Sequence, residues 1–319
     1  VLNNIELLIT GIRGFIGSNF KEYIKNDPKF EITGTSRYKS KISHLKGEIK
    51  DTCTISDVIE QRLSYHSYIH LSGKVYDFRD KKNEDEYFAA NYEVTKLLMD
   101  HFAKDPKAKN FIFLSTIHVL TENPEVVLDE SYVPKPFTPY GKSKFKAEQY
   151  IRKHCPPDKN YYILRPSMIH GPGNKGNLNL LYKLIKSGIP YPVGAYNNSR
   201  SFVSIENLCF ILKQIITRDI EPGLYHIADD EPTKTHDLVK MIAEATGEKA
   251  KIWNIPLVLL KYIAKLGNRL PIFINEHRLN KLTGDFIVSN EKITKAIGKP
   301  LPVSSREGLK YTLNSLTDE

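Results

Sequence analysis

Short runs of β-branched and aromatic residues alternate with longer stretches of helical period over the first two thirds of the chain. The runs Glu6–Thr10, Glu31–Thr35, Tyr68–Ser72, Asn110–Ser115 and Tyr161–Arg165 predict strands, and Ser18–Lys25, Ile55–Leu63, Glu86–Ala103 and Gly141–His154 predict helices between them. Strands that alternate with helices build a parallel sheet, because each crossover must return the chain to the same end. Five such units predict an α/β, doubly wound fold that takes its ligands at the carboxyl ends of the strands.

After Arg165 the texture changes to turn signals such as Gly171-Pro172-Gly173 and Ile189-Pro190-Tyr191-Pro192, mixed with helices. A smaller C-terminal α/β substrate-binding domain is expected there, lying as a lid over the first. Phe202–Ile205 and Tyr225–Ile227 predict further strands that bring the chain back to the sheet. The expected division is therefore discontinuous: residues 1–165 with about 200–228 in one domain, and 166–199 with 229–319 in the other. Ile255 to Leu266 is the most apolar late stretch, but Lys261 and Lys265 interrupt it and it is too short to span a bilayer. It predicts an amphipathic core helix and no membrane insertion.

Composition narrows the class without naming a chemistry. A chain of 319 residues with 40% hydrophobic and 26% charged positions can bury a full globular core. The net charge of +9 raises nucleic acid or an anionic ligand, yet the lysines are spread along the chain with no long basic run. A solvated surface and no nucleic-acid partner are the expectation. Cys53, Cys155 and Cys209 are odd in number and lack CxxC spacing, which predicts neither a disulfide framework nor a metal site. With no signal-peptide pattern ahead of the first strand, a cytoplasmic protein is expected.

Gly11-Ile12-Arg13-Gly14-Phe15-Ile16-Gly17 follows the first predicted strand and opens a helix. Glycines there permit a tight turn and close backbone approach, so that a pyrophosphate can rest on free N–H groups at the positive helix end. The context predicts a Rossmann-type dinucleotide site. At the end of the second strand an acidic residue would select NAD, but this chain has Thr35-Ser36-Arg37. Ser36 and Arg37 could bind a 2′-phosphate, which favours NADP over NAD; an Arg37 that is solvated or stacked on adenine leaves either open.

Tyr140 and Lys144 stand four apart at the start of a predicted helix, hence on one face. A phenol of ordinary pKa near 10 is a poor base, but a nearby ammonium and a cationic nicotinamide favour its phenolate. It can then exchange the proton of a carbinol while hydride moves. Ser115-Thr116 ends the strand just before that helix, and Thr116 is expected to bond the reacting oxygen and relay its proton, with Ser115 supporting the turn.

Glycine loop, Ser-Thr strand end, Tyr-Lys pair and Leu164-Arg165-Pro166 before Gly171-Pro172-Gly173 together resemble the extended short-chain dehydrogenase/reductase family, in its NAD-dependent epimerase/dehydratase branch. Arg200-Ser201-Phe202-Val203-Ser204-Ile205 and Tyr225-His226-Ile227-Ala228 are most similar to its sugar-nucleotide epimerases and ketoreductases. The resemblance implies that Arg200 clamps a substrate diphosphate and that Asn177 makes another diphosphate or sugar contact. It implies cofactor contacts from Glu48 and Ile49, from Leu71, Ser72 and Gly73, and from Pro166, with Asn91 ordering the active site. A homodimer formed by two helices beside the sheet is implied as well. Where relatives that dehydrate have Thr-Asp-Glu, this chain has Thr116-Ile117-His118, so the acid/base pair for dehydration is missing. His118, on the same side of an extended strand as Thr116, could be an additional acid/base group or a wall of the pocket. The expected reaction is hydride chemistry at C4 of a UDP-hexose or UDP-N-acetylhexosamine, as 4-epimerase or 4-ketoreductase. A noncatalytic dinucleotide-sensing module on the same fold is the alternative, which an intact Thr116, Tyr140 and Lys144 oppose.

Overall fold

The computed structural model describes residues 4–36, 51–75, 83–174, 176–194, 196–267, 279 and 283–317. Its centre is a seven-stranded sheet of β1 (Ile5–Thr10), β2 (Phe30–Thr35), β3 (Asp51–Cys53), β4 (Ser67–His70), β5 (Asn110–Leu114), β6 (Asn160–Pro166) and, much later in the chain, Gly223–Ile227. All neighbouring strands are parallel, in the spatial order Gly223–Ile227, β6, β5, β4, β1, β2, β3. The order reverses between β1 and β4, the crevice where doubly wound sheets bind their ligands.

Leu7, Leu8 and Ile9 are fully buried, so the middle of β1 is apolar on both faces, as a sheet covered on both sides requires. One face packs against α1 (Phe15–Ile24) and the helix Ile205–Thr217, through Phe20, Ile24, Leu208 and Ile211. The other packs against α4 (Val94–Lys104) and α5 (Pro139–His154), preceded by the helices α2 (Ile55–Glu60) and α3 (Glu84–Tyr87), with Leu98, Phe102, Ala147 and Ile151 closing the core. A further core joins α6 (Asn177–Lys186) to helices of the C-terminal third through Leu178, Tyr182, Leu238, Ile242, Leu260 and Leu309.

Strands and helices fall close to the predicted positions, with three differences. Strand β3 has only three residues, too few for a pattern to declare it. The expected helix Glu86–Ala103 runs from Glu84 to Lys104 but widens into a π turn at Phe88–Glu93. Phe202–Ser204 does not rejoin the main sheet: it pairs with Met168–His170 in a separate two-stranded sheet, and Ile205 already begins a helix capped by Ser204 Oγ. Tyr225–Ile227 does return, as the edge strand beside β6. The late apolar stretch forms the helix Leu257–Gly267, and among the described residues no helix is long and apolar enough to cross a membrane.

Candidate active site

The turn between β1 and α1 is built of glycines because nothing else fits. Gly11 adopts φ +71°, and a Cβ there would lie 2.9 Å from the Ser72 amide nitrogen. A Cβ on Gly17 would lie 2.3 Å from the Gly11 carbonyl. Gly14 caps α1 without any side-chain hydrogen bond, leaving the helix amides open to an anion. Arg13 is exposed on this turn, while Phe15 and Ile16 are half-buried against the core. The Gly171-Pro172-Gly173 turn closes in from the other side, a Cβ on Gly171 falling 3.3 Å from Phe15 Cζ. These residues fit a dinucleotide: the cradle is too tight for a side chain and open to a phosphate.

Across the crevice, the loop after β4 is held by the same strand ends. The Ser72 amide donates to Thr10 Oγ1 (3.2 Å), which fixes Leu71, Ser72 and Gly73 beside the glycine turn. Gly73 faces α5 and the π turn so closely that a Cβ would meet Asn91 Oδ1 at 2.7 Å and Lys144 Nζ at 3.1 Å. Asn91 is fully buried in the π turn, where its Nδ2 donates to Ser143 Oγ and to the Lys74 carbonyl (3.0 Å each) and its Oδ1 accepts from the Lys74 amide (2.7 Å). A π turn shifts the helix register and here aims Asn91 at α5.

Thr138 caps α5 by accepting from the Gly141 amide (3.1 Å), with Pro139 in the first turn. That start sets Tyr140 and Lys144 one turn apart. Lys144 is buried; its Nζ donates to the Leu114 carbonyl (3.0 Å) and lies 4.7 Å from the Phe113 ring centre. Burial pulls its pKa down to about 8, partly opposed by Glu148. Tyr140 is half-buried and its pKa is pushed up to about 12 by desolvation, opposed by a hydrogen bond with Thr116 and reinforced by Tyr87. Thr116 is thereby linked to Tyr140, which stands one helical turn from Lys144.

His118 departs from expectation. The chain does not continue extended past Thr116 but turns into a 3-10 helix, Ile117–Val119, whose cap is Thr116 Oγ1 accepting from the His118 amide (3.3 Å). His118 is exposed, with its ring 6.1 Å from that of Phe286, and does not share a strand face with Thr116. Ser115 also differs: its hydroxyl donates to Glu148 (2.5 Å) instead of bracing the turn. Glu148 is fully buried and takes two hydrogen bonds from buried Arg165, Nε to Oε1 (2.9 Å) and Nη2 to Oε2 (2.6 Å).

Three further residues were not among the expected site positions. Glu148 continues the Tyr140, Lys144 spacing by another four residues, the one signal that could have marked it. His70 is fully buried at the end of β4, sharing hydrogen bonds with Thr10 (2.7 Å) and Thr95 (2.9 Å), and desolvation first, then Lys144, lowers its pKa to about 3. Ser167, next to buried Pro166 at the end of β6, has a buried hydroxyl with no hydrogen-bond partner, the kind of group a ligand satisfies.

On the substrate side, Arg200 lies near Tyr191 and Asp285; desolvation lowers its pKa, and both neighbours oppose that shift. Asn177 is the first residue of α6. Ser36 directly follows β2, its amide donating to the Cys53 carbonyl (3.1 Å). Arg37, Glu48 and Ile49 lie outside the described residues.

A glycine turn at the switch point of a parallel sheet, facing a buried Lys and a Thr-linked Tyr, defines an enzyme of the dinucleotide-dependent short-chain dehydrogenase type. The model of the NAD dependent epimerase/dehydratase family matches residues 7–228, and the chain belongs to that family. It is 27% identical over 318 residues to UDP-glucose 4-epimerase of Vibrio cholerae, covering 96% of this chain and 94% of that protein. It is 27% identical over 264 residues to N-acetyl-alpha-D-glucosaminyl-diphospho-ditrans,octacis-undecaprenol 4-epimerase of Escherichia coli O157:H7, covering 80% and 77%. UDP-glucuronic acid 4-epimerase from Bacillus cereus in complex with NAD has the same fold, with a TM-score of 0.75 at 17% identity over 98% of this chain and 99% of that one. The expected preference for NADP is corrected by these findings: the family is NAD dependent, and structural neighbours hold NAD. An arginine after β2 does not by itself demand a 2′-phosphate, because a guanidinium also stacks on adenine.

Proposed function

We propose that this NAD-dependent enzyme is a 4-epimerase of a UDP-linked hexose or N-acetylhexosamine, with Thr116, Tyr140 and Lys144 as its catalytic residues. The observation that carries the reading is the desolvated Tyr140, hydrogen-bonded to Thr116 one helical turn from a buried Lys144. Names of the relatives point the same way, since those from Vibrio cholerae and Bacillus cereus are UDP-sugar 4-epimerases. A one-way ketoreductase commonly draws on NADPH, and the NAD dependence of the family gives that alternative no support.

NAD, when bound, supplies the hydride acceptor and donor. Tyr140 takes the proton of the sugar hydroxyl through Thr116, and the same pair returns it after the sugar has turned over in the cavity. Lys144 keeps a positive charge beside the site, and Asn91 with Gly73 fixes where that charge sits. Ser72 and Gly73, with the Gly11–Gly17 turn, hold the dinucleotide against the strand ends. Arg200 binds the diphosphate, a role suited to a planar fork of donors, and Asn177 makes the further diphosphate or sugar contact that the family resemblance implies. The substrate half comprises residues 166–199 and 229–319 in this reading.

Denaturing the purified protein and identifying the released nucleotide tests the cofactor: a self-recycling epimerase retains NAD. Tyr140→Phe is expected to lower turnover of UDP-sugars by about 10² to 10⁴-fold, the range for losing a general acid/base, with NAD content unchanged. Undiminished turnover in that variant would sink the assignment.

A further inference from the structure

The helix Leu257–Gly267 turns one face inward, where Leu260 and Ala264 are buried in the C-terminal core. Its other face also carries large apolar side chains. Val258 is 81% exposed, Tyr262 64% and Leu259 50%, and Trp253, four residues ahead of the helix, is 58% exposed. Val258 and Tyr262 stand one turn apart, and so do the exposed Lys261 and Lys265. Trp253 is oriented by a backbone bridge, its amide donating to Tyr191 O (2.9 Å) and its carbonyl accepting from the Gly194 amide (3.1 Å).

The charge pattern decides what covers this face. From Lys249 to Gly267 the chain carries four lysines, all exposed, and no acidic residue, in a protein of net charge +9. A protein partner would call for mixed charge at the rim. Between Glu248 and Gly267 the only charges that accompany exposed Trp, Tyr, Val and Leu in the sequence are those of lysines, which matches the boundary between headgroups and acyl chains, where aromatic rings sit at the interface and lysines reach outward to phosphate.

We infer that the face formed by Trp253, Val258, Leu259 and Tyr262, with Lys261 and Lys265, docks the enzyme on an anionic phospholipid surface. The helix lies in the interface and does not cross it. Docking adds the apolar contact of these side chains to the attraction of the lysines, and the attraction weakens with salt. This inference is independent of the sugar the enzyme takes.

The chain has one tryptophan, so the face carries its own reporter. Full-length protein with its cofactor is titrated with vesicles of phosphatidylcholine alone, or mixed with phosphatidylglycerol, and followed by Trp253 emission and co-sedimentation. The expected result is a blue shift and sedimentation with the anionic vesicles only, reversed by salt. Lys261→Ala and Lys265→Ala should each weaken binding about fivefold, and Val258→Asp with Tyr262→Asp should abolish it while turnover of a soluble substrate is kept. Unshifted Trp253 emission with anionic vesicles overturns the proposal, as does equal binding by the paired aspartate variant. So does a dimer in vesicle-free solution that the same variant dissolves, because the face would then be a contact between two copies. The vesicle and oligomeric-state readouts require no epimerase activity, so failure here is separable from failure of the functional reading.

Discussion

At Lys144, burial and charge oppose each other, and the pH dependence of stability reads out the balance. Its folded pKa near 8 lies below the ordinary 10.5, so the buried ammonium disfavours folding at neutral pH. Between those two values the unfolded chain binds more protons than the native one, and this group's contribution therefore rises with pH. Lys144→Met lacks that rise. Urea midpoints at constant m should give the variant its greatest relative stability below pH 8 and lose roughly 3 kcal/mol of that advantage by pH 10.5. A gap that stays constant with pH would mean that Lys144 is not desolvated. Tyr140 and Lys144 were legible because a four-residue spacing at a helix start is a local feature. Glu148 and His70 were not, since their importance comes from burial among residues far away in sequence: Arg165 for one, Thr10 and Thr95 for the other.

Between elements, α5 is fastened to the sheet by charge as well as by apolar contact. Ser115 on the β5 side and Arg165 on β6 both reach Glu148 on α5, and Arg165 and Glu148 are each 1% exposed. Removing one partner of such a pair leaves an uncompensated buried charge, so Arg165→Met should cost about 3–5 kcal/mol in urea unfolding. Adding Glu148→Leu should recover much of that loss; if it does not, the cost comes from packing and not from the stranded carboxylate. The contact between the β4 loop and the π turn makes a second prediction. Gly73→Ala puts a methyl group against Asn91 and Lys144, and the resulting displacement should lower kcat about 10²-fold while the fold survives, measured as turnover against circular dichroism. Sequence periodicity located the helix carrying Asn91 but not its π turn, because a single inserted residue barely disturbs a 3.6-residue pattern. The 3-10 turn at Ile117–Val119 was missed for a related reason: Thr116 reads as a strand residue until its side chain is seen capping the turn.

For the molecule as a whole, one buried cluster spans the join of the proposed cofactor and substrate halves. The Asp229 carboxylate accepts from the Ser204 amide (3.0 Å) and Asn207 Nδ2 (2.7 Å), and it lies 3.5 Å from His170 Nε2. His170 Nδ1 shares a hydrogen bond with Thr312 (2.8 Å) on the C-terminal helix Ser305–Ser315, and a Cβ on Gly308 of that helix would lie 2.9 Å from Ser204 Cβ. Two other stretches of chain thus meet one carboxylate just after the last strand of the main sheet, and the C-terminal helix joins them through His170. The same segment leads within a few residues to Thr233, which pairs with Arg200. Asp229→Ala strands the Ser204 amide and Asn207 in a dry interior, where a buried carboxylate lost from such a network costs on the order of 3 kcal/mol. If the cluster holds the Arg200 region in place, its loss should fall on the substrate and not on the dinucleotide: KM for the UDP-sugar rises several-fold while retained NAD is unchanged. Loss of NAD with KM unaltered would instead mean that the cluster supports the glycine turn, through Ile205 and Gly171, and that Arg200 is positioned independently of it.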